Sequence, residues 1–194
     1  NLRALKVRAS DATAIADAVR YLAGCGRVGL VAISYGVGLA VIAALRPDIR
    51  DRIGFILAIG GYHDLDAVLT HVTTGYHRDG PGQPWRYRKP NAYGMWVMVL
   101  SNAEYLADPG DRSRLSEMAV RKMRDLDADV ADLVAGLGAG GRAVHALVTN
   151  RDPDRVAALI RDLPGPVRRA LGALDLKRRD LRDLAARLIL VHGI

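Results

Sequence analysis

Three short apolar runs stand out from the otherwise mixed pattern of hydrophobic and polar positions along the chain. They lie at Arg27–Ile33, Arg52–Ile59 and Arg187–Gly193, and each has the length of a strand. Because their apolar residues are continuous rather than alternating, we predict strands that are buried on both faces of a sheet. Ser10–Ala23 carries apolar residues at helical spacing, and Val37–Leu45 predicts a helix of small residues.

This alternation of helices and strands predicts an α/β fold with a parallel sheet and right-handed crossovers. From Asp66 to Ala185 no run predicts a strand convincingly, although 144–148 fits either a short strand or a helix. Helical patterns recur there instead, at Asn91–Leu106, Arg114–Leu137, Gly141–Val148, Pro153–Arg161, Pro164–Leu174 and Lys177–Ala186.

We therefore predict an incomplete sheet core from residues 1–65 and 186–194, interrupted by a mainly helical insertion at 66–185. Parallel strands that are buried on both faces need neighbours, and apolar edge strands need protection. We accordingly expect further strands on both sides in sequence, so that these 194 residues form a piece of a larger domain.

Composition narrows the classes of partner. The net charge is +7, but arginine is interspersed with aspartate, which is typical of solvated helix faces, so we predict no nucleic-acid partner. No apolar run reaches membrane-spanning length, and the single cysteine, Cys25, excludes an internal disulfide and a cysteine-based zinc cluster. We predict no metal and no cofactor. The first ten residues do not form a signal peptide, so we predict a cytoplasmic protein by default, unless a signal precedes Asn1. The sequence contains no feature that predicts the oligomeric state.

The stretch AISYGVG, residues 32–38, follows the first predicted strand directly. Small residues permit a tight turn from strand to helix, and a serine held on such a turn is a candidate nucleophile. The stretch resembles the nucleophile elbow of the α/β-hydrolase fold, whose pattern is G-x-S-x-G. Ala32 replaces the first glycine of that pattern, Gly36 supplies the second, and Gly38 is expected to help the helix pack on the sheet.

The resemblance implies roles for individual residues. Ser34 is the expected nucleophile, and the backbone N–H of Tyr35 is the expected first half of the oxyanion hole. The second oxyanion donor is expected before Asn1. The last predicted strand resembles one that runs into H-G-x-x-D in the family, which places the acid two or three residues beyond Ile194 and the catalytic histidine later. The resemblance assigns His192 a structural role, and it makes the insertion a cap domain.

Asp64, in the loop after the second strand, is a less favoured acid, because its position better fits a residue that caps the insertion or lines the pocket entrance. His63, His71 and His77 lie in or after the same loop. His71 and His77 are six residues apart, which is not the i+3 or i+4 spacing of ligands on one helix, so we predict no metal site from them.

The resemblance thus implies a serine hydrolase that acts on a small-molecule carboxylic ester or related acyl bond through an acyl-enzyme at Ser34. Residues 1–194 alone are expected to be inactive, because the base that activates the serine is not among them. The alternative is a non-catalytic binding or assembly module with the α/β-hydrolase fold. Ala32 and the missing acid and base leave that alternative open.

Overall fold

The computed structural model describes residues 7–192, which form nine α-helices and five strands. The helices are α1 (Asp11–Leu22), α2 (Gly36–Ala44), α3 (Leu65–Thr74), α4 (Ala92–Asn102), α5 (Pro109–Arg124), α6 (Ala131–Ala135), α7 (Ala139–Thr149), α8 (Val156–Asp162) and α9 (Gly165–Leu174). The strands are β1 (Val28–Ile33), β2 (Ile53–Ile59), β3 (Tyr76–His77), β4 (Arg86–Tyr87) and β5 (Arg187–Val191).

The described chain groups into two compact units. Residues 7–65 and 172–192 form one, here called the sheet unit, and residues 66–171 form the other, the helical unit. Within residues 7–192, no helix is both long and apolar enough to cross a membrane.

The sheet unit contains a three-stranded parallel sheet in the order β1–β2–β5. In its register Val31 lies beside Leu57, and Leu57 lies beside Ile189. The predicted α/β fold with a parallel sheet and flanking helices is therefore confirmed.

Helix α2 is apolar around its whole circumference, as expected for a helix that is buried on all sides. Seven of its nine residues are buried, and five of these seven join Ala12, Ala16 and Val19 of α1 in the main core. This core covers the face of the sheet that carries Ile56 and Ala58, which are 0% and 1% exposed.

The opposite face of the sheet is bare in residues 7–192, so the prediction of strands buried on both faces is wrong for the described residues. Val31 and Ile33 of β1 are 66% and 64% exposed, and Phe55 lies partly exposed beside Gly29. At the sheet edge β5 is exposed on both faces, because Leu188 and Leu190, which lie beside Ile56 and Ala58, are exposed as well. The continuous apolar pattern therefore occurs in a sheet that has only one face covered by residues 7–192. On the other face, the exposed side chains of Val31, Ile33 and Phe55 form an apolar patch.

The helical unit is held by a buried carboxylate between two helix N-termini. Asp111, in the first turn of α5 and 1% exposed, accepts hydrogen bonds from the N–H groups of Gly138 (2.6 Å) and Gly141 (2.7 Å). A Cβ atom on Gly141 would lie 2.6 Å from Asp111 Oδ1, so the close approach requires glycine at that position. This contact joins the start of α7 to α5.

One predicted helix is absent and another is interrupted, and in both places an aspartate side chain accepts a local backbone hydrogen bond. In place of the helix predicted over Lys177–Ala186, only Leu176–Arg178 forms a 3-10 turn, and Asp180 accepts from the backbone N–H of Arg182 at 3.0 Å. The helix predicted over Arg114–Leu137 is interrupted after α5, where Asp125 accepts from Asp127 N–H at 3.0 Å. Such local bonds compete with helical ones.

Helix α3 was not predicted, and its sequence explains why. It is rich in β-branched residues, which have a low helix propensity. In the structure, Thr70 and Thr74 donate their hydroxyl hydrogens to carbonyl oxygens one turn earlier, at 2.8 and 2.6 Å. Residues 144–148, which fitted either a strand or a helix, lie within α7.

We predict that replacing Val31 and Ile33 together by threonine changes the free energy of unfolding by no more than about 0.5 kcal/mol, because both side chains are already exposed. Binding of a hydrophobic dye to the folded protein should decrease. The matched control is Ile56→Thr on the covered face, which should cost about 2 kcal/mol or more. A comparable loss from the Val31 and Ile33 double variant would show that the bare face is covered in solution.

Candidate functional site

Ser34 occupies the sharp turn between β1 and α2 in a left-handed backbone conformation. Its φ is 54°, which makes it the one non-glycine residue with positive φ among residues 7–192. That conformation costs a residue with a Cβ roughly 1–2 kcal/mol. Two backbone hydrogen bonds hold it: Ser34 N–H donates to Ile59 O (2.8 Å), and Ser34 O accepts from Val37 N–H (3.1 Å).

The Ser34 side chain is exposed, and no residue in the described range forms a hydrogen bond with its hydroxyl. The N–H of Tyr35, the N-cap of α2, also has no acceptor in that range. Unpaired N–H groups and the positive end of the helix dipole favour an anion at this point. A hydroxyl and an anion-stabilising donor are therefore adjacent in the chain.

The loop after β2 packs closely against the first turn of α2. A Cβ on Gly38 would lie 2.5 Å from the Tyr62 hydroxyl oxygen, and a Cβ on Gly61 would lie 2.6 Å from a methyl carbon of Val37. Gly38 is thus required by Tyr62, a contact that the sequence did not suggest. Of the other elbow residues, Ala32 is buried, whereas a Cβ on Gly36 would meet no described atom within 4 Å.

Tyr62 fixes this loop to the end of α9. Its hydroxyl donates to Leu174 O at 3.1 Å. Burial, reinforced by the nearby Asp175 carboxylate, raises the pKa of Tyr62 to about 12. The phenol is therefore neutral at physiological pH and acts as a hydrogen-bond donor.

Asp64, the less favoured acid, accepts a hydrogen bond from Lys177 Nζ at 2.8 Å. An acid that serves a catalytic histidine must accept from the imidazole instead. Its partner here is an ammonium group, which suits a structural ion pair. A catalytic role for Asp64 stays a prediction.

Ser34, Asp64 and His192 all follow the carboxyl ends of parallel strands, and these ends meet at one edge of the sheet. Ser34 follows β1 and His192 follows β5, with β2 between them. At about 4.8 Å per strand, the backbones of Ser34 and His192 are roughly 10 Å apart. The structural role expected for His192 stays a prediction.

The histidines near this loop divide between the two units. His63 is exposed in the sheet unit, whereas His71 and His77 belong to the helical unit, where their ring centroids are 5.8 Å apart. The spacing argument for a single helix does not apply to them, because α3 ends before His77. Within residues 7–192, no group of three or more His, Cys, Asp or Glu side chains is arranged to hold a metal ion.

Comparison with known proteins gives no relative. No family model matches the chain, and neither a curated protein nor a solved structure matches it. The resemblance to α/β-hydrolases therefore depends on residues 32–38, on their place between a strand and a helix, and on the last strand.

We predict that Ser34→Gly is more stable than Ser34→Ala by about 0.5–1 kcal/mol, because glycine adopts positive φ without strain. Ser113, exposed within α5, is the matched control, since glycine in a helix costs about 1 kcal/mol relative to alanine. The order of the two variants should therefore reverse between the two sites in chemical denaturation. Equal stabilities of Ser34→Gly and Ser34→Ala would contradict the strained turn.

A second prediction concerns Tyr62, whose folded pKa lies above the unfolded value of about 10. The neutral phenol therefore favours the folded state below pH 10, and this contribution is lost as the pH rises towards 12. Between pH 9 and 11, the stability advantage of the wild type over Tyr62→Phe should fall by about 1.4 kcal/mol. Tyr21→Phe, at a tyrosine that is 87% exposed, should show no such change. A parallel pH dependence of the two variants would refute the burial of Tyr62.

Proposed function

We propose that the protein is a serine hydrolase that cleaves a carboxylic ester or related acyl bond through an acyl-enzyme at Ser34. The left-handed backbone of this exposed serine carries the proposal. Strain at a non-glycine residue marks functional sites, and glycine would remove it here. Folding alone therefore does not favour serine at this position, whereas a nucleophile on a strand-to-helix turn requires it.

The chemistry follows from the two adjacent groups. The Ser34 hydroxyl oxygen attacks the acyl carbonyl carbon while its proton passes to a base, and the carbonyl oxygen becomes an oxyanion. The Tyr35 N–H, at the N-terminus of α2, is available to stabilise that oxyanion. Collapse of the intermediate expels the alcohol, which takes up the proton, and water then hydrolyses the acyl-enzyme.

The proposal also requires an imidazole base, and no histidine of residues 7–192 is hydrogen-bonded to Ser34. A base from elsewhere in the full-length gene product is therefore part of the proposal. The substrate is proposed to be a small acyl compound rather than nucleic acid, because the site needs only a carbonyl group beside Ser34 and the Tyr35 N–H.

A second candidate function is a non-catalytic binding or assembly module. The ion pair between Asp64 and Lys177 favours it, since this carboxylate is engaged by a cation. The bare apolar face of the sheet favours it as well, because such patches often mark interaction surfaces. The two candidates differ in one measurable property, which is the reactivity of the Ser34 hydroxyl.

We predict that a fluorophosphonate probe labels Ser34 in the full-length gene product, because only an activated serine displaces fluoride from phosphorus. Peptide mass spectrometry should locate the label on the peptide that contains residues 32–38. Ser34→Ala should abolish both labelling and hydrolysis of p-nitrophenyl esters, with a loss of roughly 10³-fold or more. Ser113→Ala, which removes an exposed serine on α5, should change neither.

The isolated chain of residues 1–194 provides a second comparison and is expected to remain unlabelled. Labelled Ser34 in the full-length product together with an unlabelled short chain would locate the base outside these residues. An unlabelled Ser34 in folded full-length protein, or esterase activity that persists in Ser34→Ala, would reject the hydrolase and favour the binding module.

A further inference from the structure

Two histidines of the helical unit form a close pair that the proposed hydrolase chemistry does not use. His71 lies in the last turns of α3, and His77 lies in β3. Between them Gly75, with φ 80°, reverses the chain while its N–H donates to His71 O at 2.8 Å. The two imidazole planes are nearly perpendicular, at 88°, and their centroids are 5.8 Å apart.

One buried nitrogen of each ring has no hydrogen-bond partner among residues 7–192. His71 Nδ1 and His77 Nδ1 are buried, and neither forms a hydrogen bond with residues 7–192. A buried polar atom without a partner is rare and costly, and it often marks the place of a water molecule or an ion. Because the two rings are in contact, a single ligand between them is the simplest partner for both atoms.

Both rings are suited to binding a cation through a lone pair. In each ring the unpartnered nitrogen, His71 Nδ1 or His77 Nδ1, is engaged by no other group of residues 7–192. A neutral imidazole keeps one nitrogen lone pair, which is the form that binds metal ions. Imidazole is a preferred ligand of divalent zinc, copper and nickel.

We propose that His71 and His77 form a two-histidine site for a divalent transition-metal ion of the Zn²⁺ class, completed by water. A Zn–N bond of about 2.1 Å places each ring centroid about 3.2 Å from the ion. At a tetrahedral angle the two centroids would then be about 5.2 Å apart. The observed 5.8 Å therefore requires an approach of roughly 0.6 Å, which a small side-chain rotation provides.

The backbone around the pair is fixed before any ion binds. The N–H of Arg88 donates to Gly75 O at 2.8 Å, and Tyr76 N–H donates to the Thr74 hydroxyl at 3.1 Å. The rings of Tyr76 and Tyr87 pack edge to face across the β3–β4 ladder at 5.4 Å. An ion held by both histidines would cross-link β3 to α3 and stabilise this turn.

Calorimetric titration of tag-free protein with Zn²⁺ tests the proposal, and Co²⁺ absorption serves as a second, spectroscopic probe. We expect one ion per chain in the wild type. His71→Asn and His77→Asn should each weaken binding by about tenfold or more. The matched control is His145→Asn in α7, another half-buried histidine of the helical unit, which should bind as the wild type does.

Zn²⁺ should also raise the melting temperature of the wild type, with a shift that grows logarithmically with its concentration above Kd, and should leave that of the two histidine variants unchanged. The proposal is overturned if the wild type binds no Zn²⁺ at millimolar concentration, or if either variant binds it as well as the wild type. If both histidine variants fail to fold, the Co²⁺ absorption of the wild type decides, because a Co²⁺ spectrum that the protein leaves unchanged also overturns the site.

Discussion

The left-handed turn at Ser34 is the constraint on which the sheet unit depends. It allows the chain to leave β1 and enter α2 within two residues, which directs an entirely apolar helix onto one face of the sheet. The backbone hydrogen bond from Ser34 N–H to Ile59 O connects the turn to the neighbouring strand. Because Gly38 has no side chain, Tyr62 can pack against the first turn of α2. The strain at a single residue is thus offset by the burial of a whole helix.

The two faces of the sheet carry similarly apolar side chains, but only one face is buried. Helices α1 and α2 cover the face that bears Ile56, whereas Val31 and Ile33 face outwards with no described residue over them. Parallel sheets with continuous apolar strands are stable when helices cover both faces. The apolar character of β1 therefore indicates a surface built for a second layer, whether another part of the polypeptide or a partner supplies it.

Local chemistry in the sequence accounts for what could be predicted, and three-dimensional contacts account for the rest. Residues 32–38 predicted the strand-to-helix turn and the exposed serine, because small residues allow the backbone to turn tightly and the central serine lies on that turn. The irregular segment at 179–186 could not be predicted, since Leu181 and Leu184 pack on the core without helical geometry while Asp180 bonds locally. The His71–His77 pair was missed because it depends on the reversal at Gly75, which brings together residues that no helical spacing relates.

The contacts of the loop after β2 bear on where an acid for Ser34 can come from. Asp175, 4% exposed, accepts from Leu65 N–H at 3.1 Å, and Lys177 N–H donates to His63 O at 2.9 Å, so the backbone on both sides of Asp64 is fixed. The Lys177 ammonium then holds the Asp64 carboxylate. Moving this carboxylate towards a histidine beside Ser34 would break the ion pair and strain a doubly anchored loop. These restraints on the loop and its carboxylate make Asp64 poorly suited to serve as the acid for Ser34.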